Sequence, residues 1–372
     1  MSYFLTEEQT LMRNSIREFA QSELKARAAE IDSTEKFPMD IWKRCAELGL
    51  TGITVKEEYG GLGLTCTDEM VMMEELGKVS PAVGLILDAH LYALMIIQYS
   101  DNEAMKKKYL EDGATGRKIF ALSATDPAGA SNMAQWSTFG ADTGENFVLN
   151  GNKIFCTNSH IADVYVCMAL SATGLDEFVI EKGTPGLETG FIEHKTGLRG
   201  TNSGNVSYKN VVIPKENVIV HPLAPQCNCV ALLDMSMLAV GAAEEAHRRT
   251  VEYLGSRMRG ENSLLSRGAV SYQLAEMLLD IEMCKNMIYT VAKLMDEGRP
   301  VVPLHNIIKG FIPHRMTNWI GKCIELNGAV GYSEDTGLTM LWRDALGCTI
   351  ADGAATVSTI QGAQYMGWGT ID

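Results

Sequence analysis

Residues 125–131 read Thr-Asp-Pro-Ala-Gly-Ala-Ser, and residues 154–158 read Ile-Phe-Cys-Thr-Asn. The first segment is predicted to be a turn of hydroxyl-bearing and small residues, where the backbone can come close to a bound molecule. The second is predicted to be a strand, which puts Phe155 and Thr157 on one face because they are two residues apart. An aromatic face with polar donors at its edge suits a flat heterocycle with a polar rim. An ordinary turn and strand would give the same pattern.

Residues 1 to about 120, which contain no such segments, are predicted to be helical. Thr6 and Gln9 have the spacing of a capping box. Behind them, apolar residues recur at helical spacing and predict one buried stripe. These residues are Met12, Ile16, Phe19 and Ala20. Residues 58–63, Glu-Tyr-Gly-Gly-Leu-Gly, are predicted to form a loop, because three glycines in four positions weaken a helix or a strand.

Residues 121–222 are predicted to form a small β domain. Asn150-Gly151-Asn152 separates two short strand-like runs and predicts a hairpin turn. Residues 164–168 and 211–213 are further candidate strands.

Residues 223–372 are predicted to be helical again. An apolar stripe there predicts a helix long enough for a bundle. Its members are Leu274, Leu278, Ile281, Ile288, Ala292 and Met295. The chain therefore divides into three predicted domains, at residues 1–120, 121–222 and 223–372, and its expected fold class is α+β.

Charge and hydropathy exclude several classes of protein. The 372 residues carry a net charge of −14, which argues against binding to nucleic acid or to an anionic membrane surface. The run Lys106–Lys108 is interpreted as the solvated face of a helix. The longest apolar stretch, Val83 to Ile97, is interrupted by Asp88 and His90 and is expected to be too short to span a bilayer.

The cysteines predict a reduced, cytoplasmic protein. There are nine of them without paired spacing, and no N-terminal targeting segment is evident. Cys227 and Cys229 form the only close pair in the sequence, and without a second ligand pair they are not expected to hold a metal. His90 and His247 are expected to be structural rather than catalytic.

The segments at 125–131 and 154–158 resemble the flavin- and thioester-binding segments of the acyl-CoA dehydrogenase family. The loop at 58–63, the Lys-x-Gly-x-Arg pattern at 195–199 and residues 214–218 also resemble that family, so the likeness extends over essentially the whole chain. It implies an N-terminal helical domain, a middle β domain and a C-terminal four-helix bundle. It also implies FAD, an acyl-CoA substrate, an electron-transfer flavoprotein as electron acceptor, and a homotetramer with shared flavin sites.

Oxidation of an acyl thioester needs a hydride acceptor, a base for the α proton and donors to the thioester oxygen. By resemblance the base lies in an aromatic-Glu-Gly-Thr motif near the C-terminus, where this chain has Ala351, Asp352, Gly353 and Ala354. Asp352 is the candidate base, and Ala351 and Gly353 are candidate substrate contacts in a hollowed pocket wall. Aspartate is one methylene shorter than glutamate, and a misplacement of ~1 Å can cost on the order of 10²-fold in rate. The alternative is that Asp352 is a solvated loop acid in a member of the family that has lost its base.

A second acid, Asp88, falls where members of the family point a residue into the acyl pocket. It lies in the apolar run Leu85 to Leu91, where an acid is rarely buried without a role or a partner. Asp88 is a candidate to take a proton from a ring carbon beyond the β position, or to pair with a cationic acyl tail beside the π face of Tyr92. A structural salt bridge or a solvent-facing position is the alternative.

The small residues of the pocket wall, the shortened base Asp352 and the additional acid Asp88 together favour a bulky or ring-shaped acyl group. The chain most resembles the alicyclic branch of the family, which acts on cyclohexane- or cyclohexene-carboxyl-CoA in anaerobic aromatic degradation.

The resemblance also assigns residues to FAD. Thr125 is expected at the pyrimidine edge of the flavin, and Ser131 at the pyrophosphate and at the substrate. Phe155 and Thr157 are expected at the flavin ring. Arg257 is expected to reach the FAD pyrophosphate of a neighbouring subunit, although the sequence after it departs from the family pattern.

The segment 325–331 resembles the family's Gln-x-x-Gly-Gly loop at the adenosine side of FAD, which implicates Glu325, Gly328 and Ala329. Glutamate here replaces glutamine, so Glu325 is expected to meet ribose or adenine rather than the pyrophosphate. The Asp/Thr-Arg pair expected at the CoA side is not evident at residues 229–234.

Several functions remain open from the sequence. The leading one is a dehydrogenase that removes an α proton and a β hydride, and the same residues serve an enoyl-CoA reductase in reverse. A second is 1,4-dehydrogenation of cyclohex-1-ene-1-carboxyl-CoA with Asp88 as base. A third is a lyase that retains FAD without redox chemistry, and a fourth is a carrier-binding paralogue without flavin.

Overall fold

The computed structural model describes residues 5–130, 133–220 and 225–368. Six helices form the N-terminal part: α1 Glu7–Phe19, α2 Lys25–Thr34, α3 Met39–Glu47, α4 Cys66–Gly77, α5 Pro81–Tyr99 and α6 Glu103–Ala114. The predicted capping box at Thr6 and Gln9 starts α1, with both of its hydrogen bonds formed. In the predicted stripe, Ile16, Phe19 and Ala20 are buried.

The middle part is a sheet. Its strands are β1 Phe120–Ser123, β2 Phe139–Asp142, β3 Asn146–Cys156, β4 Val164–Ser171, β5 Gly174–Glu181, β6 Leu187–Ile192, β7 Gly204–Pro214 and β8 Val218–Val220. They lie in the order β6–β7–β3–β2–β4–β5–β8, with β1 parallel to β4. β2 also runs parallel to β4, and the other pairs are antiparallel.

The hairpin predicted at Asn150-Gly151-Asn152 is wrong. β3 continues through these residues, and its pairing with β7 slips there by a bulge. Gly151 has φ 143°, and an added Cβ would lie 2.5 Å from Cα of Thr138. The glycine therefore permits a close approach of two backbones rather than a turn.

The C-terminal part is a helical bundle. Its helices are α7 Pro225–Ser256, α8 Gly268–Asp296, α9 Leu304–Tyr332, α10 Leu338–Cys348 and α11 Ala355–Tyr365, with a short strand pair, β9 Met258–Arg259 and β10 Asn262–Ser263, before α8. Most of the predicted stripe on α8 is buried, but Leu278 is exposed, so that part of the prediction is wrong. The fold is thus helical, β and helical in order, as the sequence predicts.

Glycines bring α4 and α5 close to α7. A Cβ at Gly77 of α4 would lie 2.6 Å from the backbone oxygen of Leu238, and one at Gly241 of α7 would lie 2.4 Å from that of Glu74. A Cβ at Gly84 of α5 would collide with the Leu238 side chain. Because glycine has no side chain, the three helices pack at short range where they cross. They join the N-terminal helices to the bundle.

An ion cluster reinforces this joint. Lys78 contacts Glu74 at 2.7 Å, Glu75 at 2.8 Å and Glu244 of α7 at 3.0 Å. Burial opposes ionisation of Glu74, but Lys78 and Lys285 outweigh it and lower the pKa of Glu74 to about 2. The cluster therefore holds α4 in place against the bundle.

Among the residues that the structure describes, two helices are long and apolar enough to cross a membrane, Pro81–Tyr99 and Cys227–Ser256. The expectation that the first is too short is therefore wrong on length alone. In each helix, 89% of the most apolar 18-residue segment is buried inside the protein. This burial identifies both as core helices of the folded chain.

The cysteines are unpaired with one another, and His90 and His247 contact backbone groups. All nine cysteines are free thiols, and no group of three or more His, Cys, Asp or Glu within the described ranges is placed to hold a metal. His90 is fully buried between the carbonyl of Gly113 and the N–H of Phe120. Burial lowers its pKa to about 4. His247 contacts the carbonyl of Leu274 at 3.1 Å.

Candidate functional site

Helix α5 carries Asp88 into the protein interior. Asp88 is 1% exposed, and neither of its carboxyl oxygens accepts a hydrogen bond from an N–H group or a hydroxyl group. Tyr92 lies one turn further on the same helix face and is also buried. The structure thereby excludes a solvent-facing position for Asp88, and it gives Asp88 no ion pair among the described residues.

The loop between α10 and α11 carries Asp352. Asp352 has φ 54° and Gly353 has φ 108°, and aspartate tolerates the left-handed region better than most residues. Nζ of Lys309, on α9, donates to the backbone oxygens of Cys348 at 2.6 Å and Ala351 at 2.5 Å. Lys309 is fully buried, so a charged amine fixes the loop from within.

The side chains of Asp88 and Asp352 are within hydrogen-bond reach of each other. Lys309 makes their pKa values unequal. Burial raises the pKa of Asp88 well above its usual range, and the charges of Asp352 and Asp234 raise it further. Burial also raises the pKa of Asp352, but Lys309 and Asp88 oppose that rise. Burial lowers the pKa of Lys309 to about 8. The negative charge of the pair therefore resides on Asp352, and Asp88 holds the proton.

Sequence reasoning missed three members of this cluster: Lys309, Asp234 and Glu69. Asp234 of α7 and Glu69 of α4 are each 1% exposed. Asp234 is within hydrogen-bond reach of Asp88 and of Glu69. Asp234 lies in the run Val-Ala-Leu-Leu-Asp-Met at 230–235, so the rule that singled out Asp88 would have singled out this acid as well.

The segments at 125–131 and 154–158 also meet. The N–H of Ile154 donates to the backbone oxygen of Thr125 at 2.8 Å, and the ring of Phe155 is 54% exposed. The prediction that strand alternation places Phe155 and Thr157 on one face is wrong, however. Phe155 has φ 52° in a bulge of β3, and Thr157 lies in the turn that follows, so strand alternation does not relate them.

The turn that follows Thr125 is fixed by Asp126. Its carboxylate accepts hydrogen bonds from the backbone and hydroxyl of Thr138 at 3.0 and 2.7 Å. At Gly129, φ is 102° and an added Cβ would meet nothing within 4 Å. An anchored turn with an open backbone stands beside an exposed aromatic ring, which fits a flavin held by its edge and its face. Ser131 lies outside the described residues.

The remaining FAD candidates lie elsewhere on the chain. Arg257 is exposed just beyond α7, with its guanidinium 5.9 Å from the Tyr253 ring. Glu325 is exposed and pairs with Lys322 at 2.8 Å. Gly328, followed by Ala329, interrupts α9 with φ 64°; the segment is therefore a broken helix rather than a loop.

Three protein-family models match the chain. The acyl-CoA dehydrogenase N-terminal domain matches residues 6–117, the middle domain residues 121–211 and the C-terminal domain residues 233–366. The chain belongs to the acyl-CoA dehydrogenase family. It is therefore an FAD-dependent oxidoreductase with acyl-CoA dehydrogenase activity, as the resemblance implied.

Curated relatives span almost the whole chain. A short-chain-specific acyl-CoA dehydrogenase of Clostridium acetobutylicum is 32% identical over 372 residues, covering 97% of this chain and 98% of the relative. A cyclohex-1-ene-1-carbonyl-CoA dehydrogenase of Geobacter metallireducens is 29% identical over 353 residues, covering 92% and 93%.

Solved structures share the fold of this acyl-CoA dehydrogenase. Butyryl-CoA dehydrogenase from Megasphaera elsdenii superposes with a TM-score of 0.93 at 27% identity, covering 98% of this chain and 100% of that one. The FAD complex of PigA gives 0.92 at 26%, with 99% of each chain covered. A chain from work on the electron transferring flavoprotein of Acidaminococcus fermentans gives 0.94 at 28%, covering 98% and 99%.

Proposed function

We propose that Asp352 is the base of this dehydrogenase and that it takes the α proton of a bulky or alicyclic acyl-CoA thioester, such as cyclohexane-1-carboxyl-CoA. The observation that carries this proposal is the meeting of Asp352 with Asp88 beside Lys309. Lys309 favours the ionised form of Asp352, which a base requires. Asp88 holds a proton next to it and donates it toward Asp352. Bound FAD supplies the acceptor for the β hydride.

The chemistry of the site supports a compact, ring-shaped acyl group. Ala351 and Gly353 flank the base with almost no side chain, and an added Cβ at Gly353 would have its nearest neighbour at 3.7 Å. Asp88 and Tyr92 would then face the far side of the ring. The cyclohex-1-ene-1-carbonyl-CoA dehydrogenase of Geobacter metallireducens is one relative whose substrate has this shape.

Residues of the β domain would hold the flavin. Thr125 would supply a hydroxyl and backbone groups to the pyrimidine edge, and Phe155 and Thr157 would contact the ring. We assign Ser131 to the pyrophosphate and the substrate on the sequence alone.

The exposed positions of the other FAD candidates suit contacts between subunits. Arg257 would reach the pyrophosphate held by a neighbouring chain, and Glu325, Gly328 and Ala329 would lie at the adenosine side. We propose accordingly a homotetramer with domain boundaries near residues 120 and 222. We further propose that it is cytoplasmic and passes electrons to an electron-transfer flavoprotein.

A second function, 1,4-dehydrogenation of cyclohex-1-ene-1-carboxyl-CoA with Asp88 as base, is favoured by the burial of Asp88 without an ion pair. This reaction requires that Asp88 lose its proton when the substrate binds. The enoyl-CoA reductase direction uses the same acid and base in reverse. The lyase alternative retains FAD but transfers no hydride.

The proposal is tested by mixing the purified holoenzyme anaerobically with CoA esters of cyclohexane-carboxylate, cyclohex-1-ene-carboxylate, butyrate and a cationic acyl group. Bleaching of the flavin by the saturated ring ester, faster than by butyryl-CoA, is the expected result. Bleaching by the cyclohexene ester alone would replace the proposal with the 1,4 reaction. Absence of bleaching with every ester would overturn it in favour of the reductase or the lyase.

A further inference from the structure

Four carboxyl groups from four different elements come together behind the proposed base. They belong to Asp352 of the α10–α11 loop, Asp88 of α5, Asp234 of α7 and Glu69 of α4. The last three are each 1% exposed. Both oxygens of Asp88 and of Glu69, and one each of Asp234 and Asp352, are buried without a hydrogen-bond donor. The glycine crossings of α4, α5 and α7 bring these acids together.

The four groups form a line rather than a ring. Asp88 is within hydrogen-bond reach of Asp352 on one side and of Asp234 on the other. Asp234 in turn reaches Glu69, and the hydroxyl of Thr54 lies near Glu69. Two ionised carboxylates in contact repel each other, so each contact in the line requires a shared proton. The buried amine of Lys309 faces the end of the line formed by Asp352 and Asp88.

The line has one end in the site and one near the surface. Beyond Glu69 lies the charge of Asp296 at the end of α8, which is exposed. Asp296 accepts hydrogen bonds from the backbone of Cys66 at 2.8 Å and of Thr67 at 3.1 Å at the N-terminus of α4. The sulfhydryl of Cys66 stands beside Glu69 and Asp234. Glu69 and the exposed Asp296 therefore lie at the same N-terminal end of α4.

We propose that Asp234 and Glu69 relay the proton taken by Asp352 out of the site, through Asp88, to the N-terminal end of α4. When Asp352 gains the α proton, the proton of Asp88 passes to Asp234, one passes from Asp234 to Glu69, and one leaves Glu69 for solvent. Asp352 then passes its proton to Asp88 and returns to its ionised form. One proton enters and one leaves, and no bond to carbon forms or breaks within the relay. This inference rests on the proposed function of Asp352.

The first test detects the shared protons without turnover. The infrared carbonyl band of protonated carboxylic acids is recorded for the wild-type holoenzyme at neutral pH and for Asp234→Asn and Glu69→Gln. Each variant is expected to lose part of this band. Glu8→Gln, at an exposed acid of α1, is the infrared control and should leave the band unchanged. Asp344→Asn is the matched buried control outside the line for the second test, since burial raises the pKa of Asp344 to about 7 and an asparagine oxygen can still accept from the N–H of Leu198. Bands unchanged in both relay variants would overturn the proposal.

The second test follows the proton itself. The enzyme is mixed in D₂O with an acyl-CoA that bleaches the wild-type flavin, and deuterium entry at the α carbon is compared with the rate of flavin reduction. In Asp234→Asn and Glu69→Gln, exchange is expected to fall on the order of tenfold relative to flavin reduction. In Asp344→Asn, the ratio is expected to stay at the wild-type value.

The outcomes separate the two proposals. A merely structural role of Asp234 or Glu69 would lower exchange and flavin reduction together and leave their ratio unchanged, which would refute the relay. Failure of every acyl-CoA to bleach the wild-type flavin would instead refute the proposed function. If Asp234→Asn does not fold, Glu69→Gln carries the test, because it replaces a buried acid by a neutral side chain of the same size.

Discussion

Replacing Glu69 by glutamine should make the stability of the enzyme less sensitive to pH. Burial raises the pKa of Glu69 from 4.5 to about 7, and the polar side chains of Asp234 and Thr54 nearby oppose this rise. As pH rises through 4.5 the unfolded chain loses this proton, whereas the native protein keeps it until about pH 7. The native state is thus favoured below pH 4.5, and this contribution is lost as pH rises through 7. Such a difference corresponds to about 3 kcal/mol of folding free energy.

The assay is urea unfolding of the wild type, Glu69→Gln and the exposed control Glu8→Gln, each at about pH 5 and about pH 8. The loss of unfolding free energy between the two pH values should be smaller in Glu69→Gln than in the wild type by about 2 to 3 kcal/mol. Glu8→Gln should follow the wild type. Equal pH dependence in Glu69→Gln and the wild type would refute the burial of an acid that holds its proton.

Three further predictions concern other parts of the molecule. Phe155→Ala should weaken FAD binding about five- to tenfold, measured as the FAD dissociation constant, because a ring contact is worth about 1 kcal/mol. Gly151→Ala should cost about 3 kcal/mol in urea unfolding, since its methyl would lie 2.5 Å from a backbone carbon; Gly144→Ala, also at positive φ but with open space, should cost less. Lys309→Met should raise the pKa of the base and move the acid limb of the pH profile of flavin reduction upward by about one pH unit, measured by stopped flow.

The sequence predicted most of the fold because local signals agree with it. The capping box at Thr6 and the helical spacing of Ile16 and Phe19 depend only on neighbours along one helix. The error at Gly151 arose because its φ is set by a close contact with Thr138, which lies just before β2. Leu278 has the right spacing for a buried stripe, yet it points away from the core. Local pattern cannot tell which apolar face of a long bundle helix meets the rest of the chain.

The candidate site was partly predictable for the same reason. Asp88 drew notice as an acid in an apolar run, and Asp352 through a family motif. Their contact could not be read from the sequence, since it depends on how α5 meets the α10–α11 loop. Asp234 shares the signal of Asp88, whereas Glu69 follows the polar pair Thr67-Asp68 and carries no such signal. Only the glycine crossings of their helices bring these buried acids into a line.

The most direct test of the account compares Asp352→Asn with Asp88→Asn in anaerobic flavin reduction by cyclohexane-1-carboxyl-CoA. Each substitution removes one carboxyl group and conserves size. If Asp352 is the base, Asp352→Asn should slow reduction by on the order of 10² to 10⁴-fold, and Asp88→Asn should slow it by no more than about tenfold. The reverse order would contradict the account and make Asp88 the base.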